Sequence, residues 1–161
     1  MSLTDELTGL HNRRSFLLLA EQQIKLAQRL KTTVCLLFID LDGLKKVNDQ
    51  QGHDSGDSLI RDAAEVLGQV FRESDVVARL GGDEFAVFIP ACRNTDEIVE
   101  RLQARVSQFN QEKGRPYTLS MSIGLAMCQV KQNTSLEEMM TFADEQMYVN
   151  KRSKQLLSST F

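Results

Sequence analysis

Apolar residues recur along this chain at two different spacings, and the change of spacing predicts where helices and strands alternate. Apolar positions between residues 12 and 30 recur at the helical spacing and predict a first helix there. Residues 33–39 form a continuous apolar run of strand-forming residues, which predicts a strand covered on both faces. A polar, turn-rich segment at residues 43–56 then precedes a second predicted helix at residues 59–71.

The second half of the chain begins with a hairpin signal. Two short apolar runs, residues 76–80 and 85–89, flank two glycines and two acids, which is typical of two strands joined by a tight turn. A helix at residues 95–110 with Thr95 as its N-cap, a strand within residues 117–127 and a helix at residues 135–150 complete the pattern. This order predicts an α/β (α+β) fold with a mixed sheet and helices packed on it. Its βαββαβ core is similar to the palm of nucleotide polymerases and nucleotidyl cyclases.

Composition and charge narrow the classes of function. The chain has 161 residues, of which 42% are hydrophobic, enough for one domain with a buried core. Its net charge of −3 argues against binding a nucleic-acid polymer through a basic face, but not against a single nucleotide. No apolar run reaches the roughly 20 residues that span a bilayer, and no signal peptide is visible. Cys35, Cys92 and Cys128 lack metal-ligand spacing, so we expect reduced thiols in a cytoplasmic domain.

Acidic residues follow two of the predicted strands. Asp83 and Glu84 come after the paired glycines of the hairpin, where an ordinary polar turn explains them as well as a ligand site does. Asp40 directly follows the buried strand, where an unpaired carboxylate is costly and a hard cation would compensate its charge. Asp40 and Asp83 on neighbouring strand ends therefore predict a magnesium site. A calcium-binding EF-hand loop is excluded, because Gln51 stands where that loop needs a glutamate.

The polar segment after Asp40 allows two interpretations. Lys45 lies beside the predicted metal site, where a lysine can bind phosphate as a point charge. Asp57 can equally be only the N-cap of the helix predicted from about residue 59. His11 and His53 lie in turn-rich segments, where we expect local hydrogen bonds rather than catalysis.

Six short segments of the sequence together form one further pattern. They read DELTGLHNRR at residues 5–14, FIDLDGLKKVND at 38–49, GHDSGD at 52–57, RLGGDEF at 79–85, SIG at 122–124, and AD with MY within 143–148. Together, and in this order, they resemble the GGDEF family of diguanylate cyclases over essentially the whole chain. One departure lies near the end: Gln155 stands where that family has a phosphate-binding arginine, and Arg152 and Lys154 are the nearby basic residues that could compensate.

The resemblance implies a role for each matching residue. The implied catalytic residues are Asp83, as the base that accepts the proton of the attacking 3′-hydroxyl, and Glu84, which supports the metal site. The implied metal ligands are Asp40, the main-chain carbonyl of Leu41, and Asp83. The implied substrate-binding residues are Gly43, Leu44, Lys45, Asn48, Asp57, Gly81, Gly82 and Lys151. Asn48 and Asp57 are implied to recognise guanine, and one carboxylate can accept both neighbouring N–H donors of that base.

Arg72 and Asp75 are similar to the family's Arg-x-x-Asp site, at which cyclic di-GMP acts as an allosteric inhibitor. Without the resemblance, this short pattern is typical of a solvated helix end. The resemblance also implies a reaction that joins two GTP molecules into cyclic di-GMP, with Mg²⁺ as cofactor and Mn²⁺ as the alternative metal. Because one chain holds one GTP, the active form is expected to be a homodimer.

Two expectations concern the protein as a whole. Residues 1–161 are expected to form a single GGDEF domain, the C-terminal part of a longer signalling protein that reaches a membrane only through an upstream region. The rival to an active enzyme is a catalytically weak module that senses GTP or cyclic di-GMP. Because the acids at Asp40, Asp83 and Glu84 are all present, the active enzyme is the favoured interpretation.

Overall fold

The computed structural model describes residues 2–112 and 114–160, with side chains described as far as residue 157. The helices are α1 (Arg13–Leu30), α2 (Leu44–Gln51), α3 (His53–Val70), α4 (Thr95–Gln111) and α5 (Leu136–Thr160). The strands are β1 (Thr33–Leu41), β2 (Val76–Gly81), β3 (Glu84–Ile89) and β4 (Met121–Gln129). The strands form one sheet in the order β2-β3-β1-β4.

All three strand pairings in this sheet are antiparallel. Strand β1 is central, and every residue after Thr33 is buried, as its continuous apolar run predicts. The predicted α/β class and βαββαβ core are confirmed: α2 and α3 connect β1 to β2, and α4 connects β3 to β4.

Helices cover both faces of the sheet. Alternate residues of a strand point to opposite faces. Cys35, Leu37 and Ile39 join a core cluster with α3 and α4. Leu36 and Phe38 join a second cluster with α1 and α5. The same alternation places Asp40 and Glu84, which are partners in the β1–β3 register, on the face covered by α1 and α5.

Two expectations for the segment after β1 are wrong. Residues 43–56 are not a long turn, because helix α2 occupies their middle and α3 already begins at His53. Asp57 is therefore not an N-cap but lies inside α3. Helix α2 has no fully buried residue, and its short, mostly polar sequence offers few apolar positions from which a helix can be predicted. Leu44 and Val47, both partly buried, attach it to the core.

Other element ends also differ from the sequence expectation. The N-cap of α4 is Asn94, whose side chain accepts a hydrogen bond from Glu97 N, and not Thr95. Strand β4 begins at Met121 rather than near residue 117, because Asn110 occupies the main-chain groups of Leu119 with two hydrogen bonds of 2.8 Å. Helix α5 runs ten residues past its expected end at residue 150. None of the helices in the described part of the chain has the length and apolar character of a membrane span.

Candidate active site

Asp40 lies at the end of β1 and is among the few buried charged side chains of the described chain. Its Oδ2 accepts a hydrogen bond from the Lys151 ammonium on α5. Its Oδ1 is buried and has no hydrogen-bond partner among the described residues. Burial raises the pKa of Asp40 to about 6; the Lys151 ammonium opposes this rise, and the nearby Asp83 carboxylate adds to it. A buried oxygen beside a second carboxylate is an arrangement that a hard cation would satisfy.

Asp83 is placed by the β2–β3 hairpin, which forms as predicted. Gly81 and Gly82 have φ values of 145° and 49°, a region that other residues rarely adopt. The Arg79 guanidinium donates two hydrogen bonds, of 3.1 and 2.9 Å, to Gly82 O and also pairs with Asp5 at 3.1 Å. The main chain at Asp83 is tied to β1, because Leu41 N donates to Asp83 O at 2.9 Å. The turn therefore holds Asp83 beside the end of β1.

Glu84 follows Asp83 and faces Asp40 across the β1–β3 register. Burial raises the pKa of Glu84, and the carboxylates of Asp83 and Asp144 raise it further, whereas Arg13 and Lys151 act in the opposite direction. Among the described residues, no cluster of three or more His, Cys, Asp or Glu side chains has metal-binding geometry. A metal here would therefore need further oxygen ligands in addition to these carboxylates, as Mg²⁺ sites commonly do.

The phosphate-binding residues expected from the sequence lie where β1 passes into α2. Gly43 has the left-handed conformation, with φ of 76°, and no side chain caps the helix at that position. The N–H groups at the start of a helix point outward and attract anions. Leu44 is partly buried and Lys45 is exposed, so the main chain and the Lys45 ammonium are the groups that a phosphate can reach.

Asn48 and Asp57, the expected guanine-binding residues, come from α2 and α3. The two helices pack closely at Gly56, because a methyl group there would lie 1.7 Å from Asn48 Oδ1. Glycine at this position lets the Asn48 amide lie against α3, the helix that also carries Asp57. Both side chains are half-buried, so part of each remains accessible to a ligand.

Helix α5 carries a second lysine that the sequence analysis named only as a substitute for the missing arginine. Lys154 pairs with Asp42 at 3.0 Å. Asp42 also accepts hydrogen bonds of 2.6 Å from the hydroxyls of Ser120 and Ser122. Sequence reasoning missed this cluster, because its members are about 80 and 110 residues apart and no local pattern joins them. Arg152 instead lies over the Tyr148 ring, 5.8 Å from its centre.

Arg72 and Asp75 lie in the turn between α3 and β2, away from the acids. Asp75 Oδ2 accepts a hydrogen bond of 2.9 Å from Arg72 N, which keeps the turn compact. Both residues line a groove of about 490 Å³ together with Arg93 and Arg101, two cations that the sequence analysis missed.

Of the histidines, His11 makes the expected local hydrogen bond, 2.9 Å from Nδ1 to Ser15 Oγ, and His53 begins α3.

Comparison with known families agrees with this arrangement. The family model described as "Diguanylate cyclase, GGDEF domain" matches residues 2–156. The chain belongs to the GGDEF family. This assignment agrees with the six segments in the sequence that carry the resemblance.

Curated relatives of this GGDEF domain are longer proteins. The probable diguanylate cyclase DgcJ of Escherichia coli is 33% identical over 95% of this chain and 30% of its own length. The diguanylate cyclase DosC of the same species is 34% identical over 92% of this chain and 33% of its own length. MucR of Pseudomonas aeruginosa, a bifunctional diguanylate cyclase/cyclic di-GMP phosphodiesterase, is 40% identical over 92% of this chain and 22% of its own length. The chain thus spans a third or less of each of these relatives.

Solved structures share the fold of this GGDEF domain. The GGDEF domain of DgcB from Caulobacter crescentus, in complex with c-di-GMP, superimposes with a TM-score of 0.84 at 31% identity, covering 95% of this chain and 92% of that one. The diguanylate cyclase SiaD from Pseudomonas aeruginosa, in complex with its activator SiaC, also gives a TM-score of 0.84 at 31% identity, covering 94% of this chain and 59% of that one.

Proposed function

We propose that residues 1–161 form one diguanylate cyclase domain that joins two GTP molecules into cyclic di-GMP and two pyrophosphates. The observation that carries this proposal is the pair of carboxylates, Asp40 and Asp83, beside a helix N-terminus that no side chain caps. Acids for a cation and main-chain donors for phosphate are what nucleotidyl transfer requires. The names of DgcJ and DosC support the same activity.

The donor set fits a divalent cation. Asp40 Oδ1 is buried without a partner, and the proposed ligands are Asp40, the carbonyl oxygen of Leu41 and Asp83, with Mg²⁺ or Mn²⁺ as the ion. Bound there, such an ion would stabilise negative charge on phosphate oxygens. Glu84 keeps the surroundings of the site acidic. Mg²⁺ or Mn²⁺ binding, measured by calorimetry without nucleotide, should be lost in Asp40→Asn.

The remaining residues bind and orient GTP in this proposal. The main chain at Gly43 and Leu44, with Lys45 and Lys151, binds the triphosphate, and the turn at Gly81 and Gly82 lies along the nucleotide. Asn48 and Asp57 recognise guanine. Asp57 accepts from guanine N1–H and N2–H, whereas adenine presents an acceptor at N1 and would meet the carboxylate unfavourably. Strong selection of GTP over ATP follows, because a recess built for these donors rejects a base that lacks them.

In the chemical step, Asp83 accepts the proton of a 3′-hydroxyl. The 3′-oxygen then bonds to the α-phosphorus of a second GTP, the bond to the β-phosphate breaks, and pyrophosphate leaves. The same step repeated in the other direction closes the ring. Because each GTP supplies the nucleophile for the other, two domains must face each other, which makes a homodimer the proposed active form.

A direct experiment tests this function. The purified domain is incubated with GTP and Mg²⁺, and chromatography detects cyclic di-GMP. Asp83→Ala should abolish synthesis and keep the fold, because the side chain lies at a hairpin tip where truncation costs little stability. Circular dichroism and thermal unfolding check the fold. Substantial turnover by a well-folded Asp83→Ala protein would refute both proposed roles of that residue.

A second candidate is a module that binds GTP or cyclic di-GMP with little turnover. Two observations favour it. Gln155 stands in place of the family's arginine, and the Lys151 ammonium already binds the Asp40 carboxylate, which is one of the proposed metal ligands. Tight GTP binding in calorimetry, together with no cyclic di-GMP after prolonged incubation with Mg²⁺ or Mn²⁺, would support this candidate over the enzyme.

A further inference from the structure

Asp42 is held by side chains from two different elements. Ser120 Oγ and Ser122 Oγ donate to its two carboxylate oxygens at 2.6 Å, and the Lys154 ammonium of α5 pairs with Oδ2 at 3.0 Å. Its main chain is fixed as well, because Asp42 N donates to Ser120 O at 2.9 Å. These contacts therefore fix the carboxylate just beyond the end of the central strand β1.

This carboxylate stands directly before the proposed phosphate-binding turn. Asp42 precedes Gly43, whose left-handed conformation leads into α2. An uncompensated negative charge here would repel a triphosphate. The serine hydroxyls hydrogen-bond the carboxylate but are neutral, so Lys154 supplies the positive charge in this cluster.

Lys154 is also fixed in place by a second contact. Its ammonium donates to Met121 O as well as to Asp42, so it joins α5 to the start of β4. Lys151, one turn earlier on α5, makes the corresponding contact with Asp40. The two lysines of α5 thus each pair with one carboxylate where β1 ends, Lys151 with Asp40 and Lys154 with Asp42.

We propose that Lys154 is a positioning residue for the triphosphate of GTP, because it neutralises Asp42 and holds the turn at Gly43 in its phosphate-binding form. The proposal rests on the function proposed above. It gives Lys154 a role at the phosphate site in a chain that has Gln155 instead of the family's arginine. The role is that of a counter-ion to Asp42, and Lys154 need not touch the phosphates.

Replacing Lys154 with methionine, which keeps length and removes charge, tests this idea. We expect the KM for GTP to rise about tenfold with kcat within about twofold, since the uncompensated Asp42 carboxylate would repel the triphosphate on binding and takes no part in the chemical step. In equilibrium binding with Mg²⁺, the loss should grow from GMP to GDP to GTP and vanish for guanosine. Lys154→Arg should restore most of the GTP affinity.

The matched control is Arg152→Met. It removes one positive charge from the same helix, two residues away, where the guanidinium lies over Tyr148 and not on Asp42. GTP affinity should change by less than about twofold in this variant, because an exposed charge is screened by solvent. A loss as large as that in Lys154→Met would show that only the net charge of α5 matters, and would overturn the proposal.

A double variant separates the counter-ion role from direct phosphate contact. If Lys154 acts through Asp42, then Asp42→Asn in the Lys154→Met background removes the repulsive charge and should regain most of the GTP affinity. A double variant as weak as Lys154→Met, or an equal loss for guanosine and GTP, would refute the role. Lys154→Gln, which can still donate to Met121 O, replaces Lys154→Met if thermal unfolding shows that the methionine variant is unstable.

A measurement without nucleotide gives an independent readout. In ¹H–¹⁵N spectra, Lys154→Met should shift the amides of Gly43, Leu44 and Lys45, and Arg152→Met should leave them in place. Unshifted amides would overturn the positioning role.

A wild-type domain that binds GTP without making cyclic di-GMP would refute the proposed reaction, and the binding series would still decide the role of Lys154. A wild-type domain that binds no GTP refutes both.

Discussion

At the scale of single residues, close contacts decide where the important side chains lie. Gly56 allows Asn48 to lie against α3, and Arg79 fixes the carbonyl of Gly82 in the β2–β3 turn. The Tyr117 hydroxyl donates to Asp62 of α3, which attaches the segment before β4 to the helix that carries Asp57. Each of these contacts can be changed by one substitution.

Gly56→Ala should weaken guanine recognition. The added methyl would lie 1.7 Å from Asn48 Oδ1, so the amide must move away from its place against α3. We expect GTP affinity to fall about tenfold, the effect of losing one hydrogen bond to the base. Gly68→Ala is the control: it lies on the same helix, where an added methyl meets no atom within 4 Å. It should keep GTP affinity and stabilise the protein by about 0.5–1 kcal/mol through helix propensity. Unchanged GTP affinity in Gly56→Ala would argue against Asn48 as a guanine-binding residue.

Tyr117 should ionise only at strongly alkaline pH. Burial raises its pKa, and the hydrogen bond to Asp62 and the charge of that carboxylate raise it further. A pKa raised on folding stabilises the protein fully below the unfolded value of about 10, and this contribution disappears as pH rises through the folded value. In Tyr148→Phe, which leaves Tyr117 as the single tyrosine, absorbance at 295 nm should rise at higher pH in buffer than in concentrated urea. Coincident titration curves would contradict the contact with Asp62.

At the scale of elements, helix α5 carries the two lysines that contact Asp40 and Asp42, and it lies close to β4. Gly124 makes this approach possible, since a methyl group there would lie 1.8 Å from Ala143 O and 2.3 Å from Met147 N. This contact brings together two of the matching segments, SIG and AD, which are about 20 residues apart in the sequence. The contacts of Lys151 with Asp40 and of Lys154 with Asp42 depend on this close approach.

Gly124→Ala should therefore move α5 and destabilise the fold. The new methyl meets main-chain atoms, which cannot swing aside as a side chain can. We expect a loss of about 1–3 kcal/mol, the usual range for overpacking a dense core, measured by urea denaturation. The surviving folded protein should also bind GTP more weakly, because both lysines shift. A stable variant with normal GTP affinity would show that the spacing of α5 is unimportant.

At the scale of the whole molecule, the acids and the Arg72–Asp75 turn lie apart, and β2 with its hairpin connects them. We propose that cyclic di-GMP binds at the groove beside this turn, where Arg93 and Arg101 add positive charge. Arginine can pair with a phosphate or with the O6/N7 edge of guanine through two hydrogen bonds. Product bound there could hold two domains in an orientation that keeps their active sites apart, which is an allosteric arrangement.

Arg72→Ala should relieve product inhibition and leave the initial rate nearly unchanged. The side chain is exposed and lies outside the active site, so its loss should affect only product binding. Initial rates titrated with cyclic di-GMP, for wild type and variant, measure the effect, and a coupling of about 1–3 kcal/mol corresponds to a shift of roughly 5- to 150-fold. Identical inhibition curves would show that Arg72 and Asp75 form no product site and are only a solvated helix end.

The amino-acid sequence by itself determined the elements with a strong local signal. The continuous apolar run gave β1, the glycine pair gave the β2–β3 hairpin, and Asp40 at the end of a buried strand indicated the acidic site. These features follow from burial and backbone conformation, which act within a few residues. The α/β class followed from their order.

Only the tertiary structure decided the rest. Helix α2 packs on the core through only two partly buried apolar residues, Leu44 and Val47, and the packing that holds it there is not visible in a local pattern. Lys154 contacts Asp42, which is 112 residues away in the sequence. Gly56 and Gly124 are needed only because another element packs where a side chain would lie. Long-range contacts of this kind depend on how elements pack in three dimensions, and spacing along the chain does not record that packing.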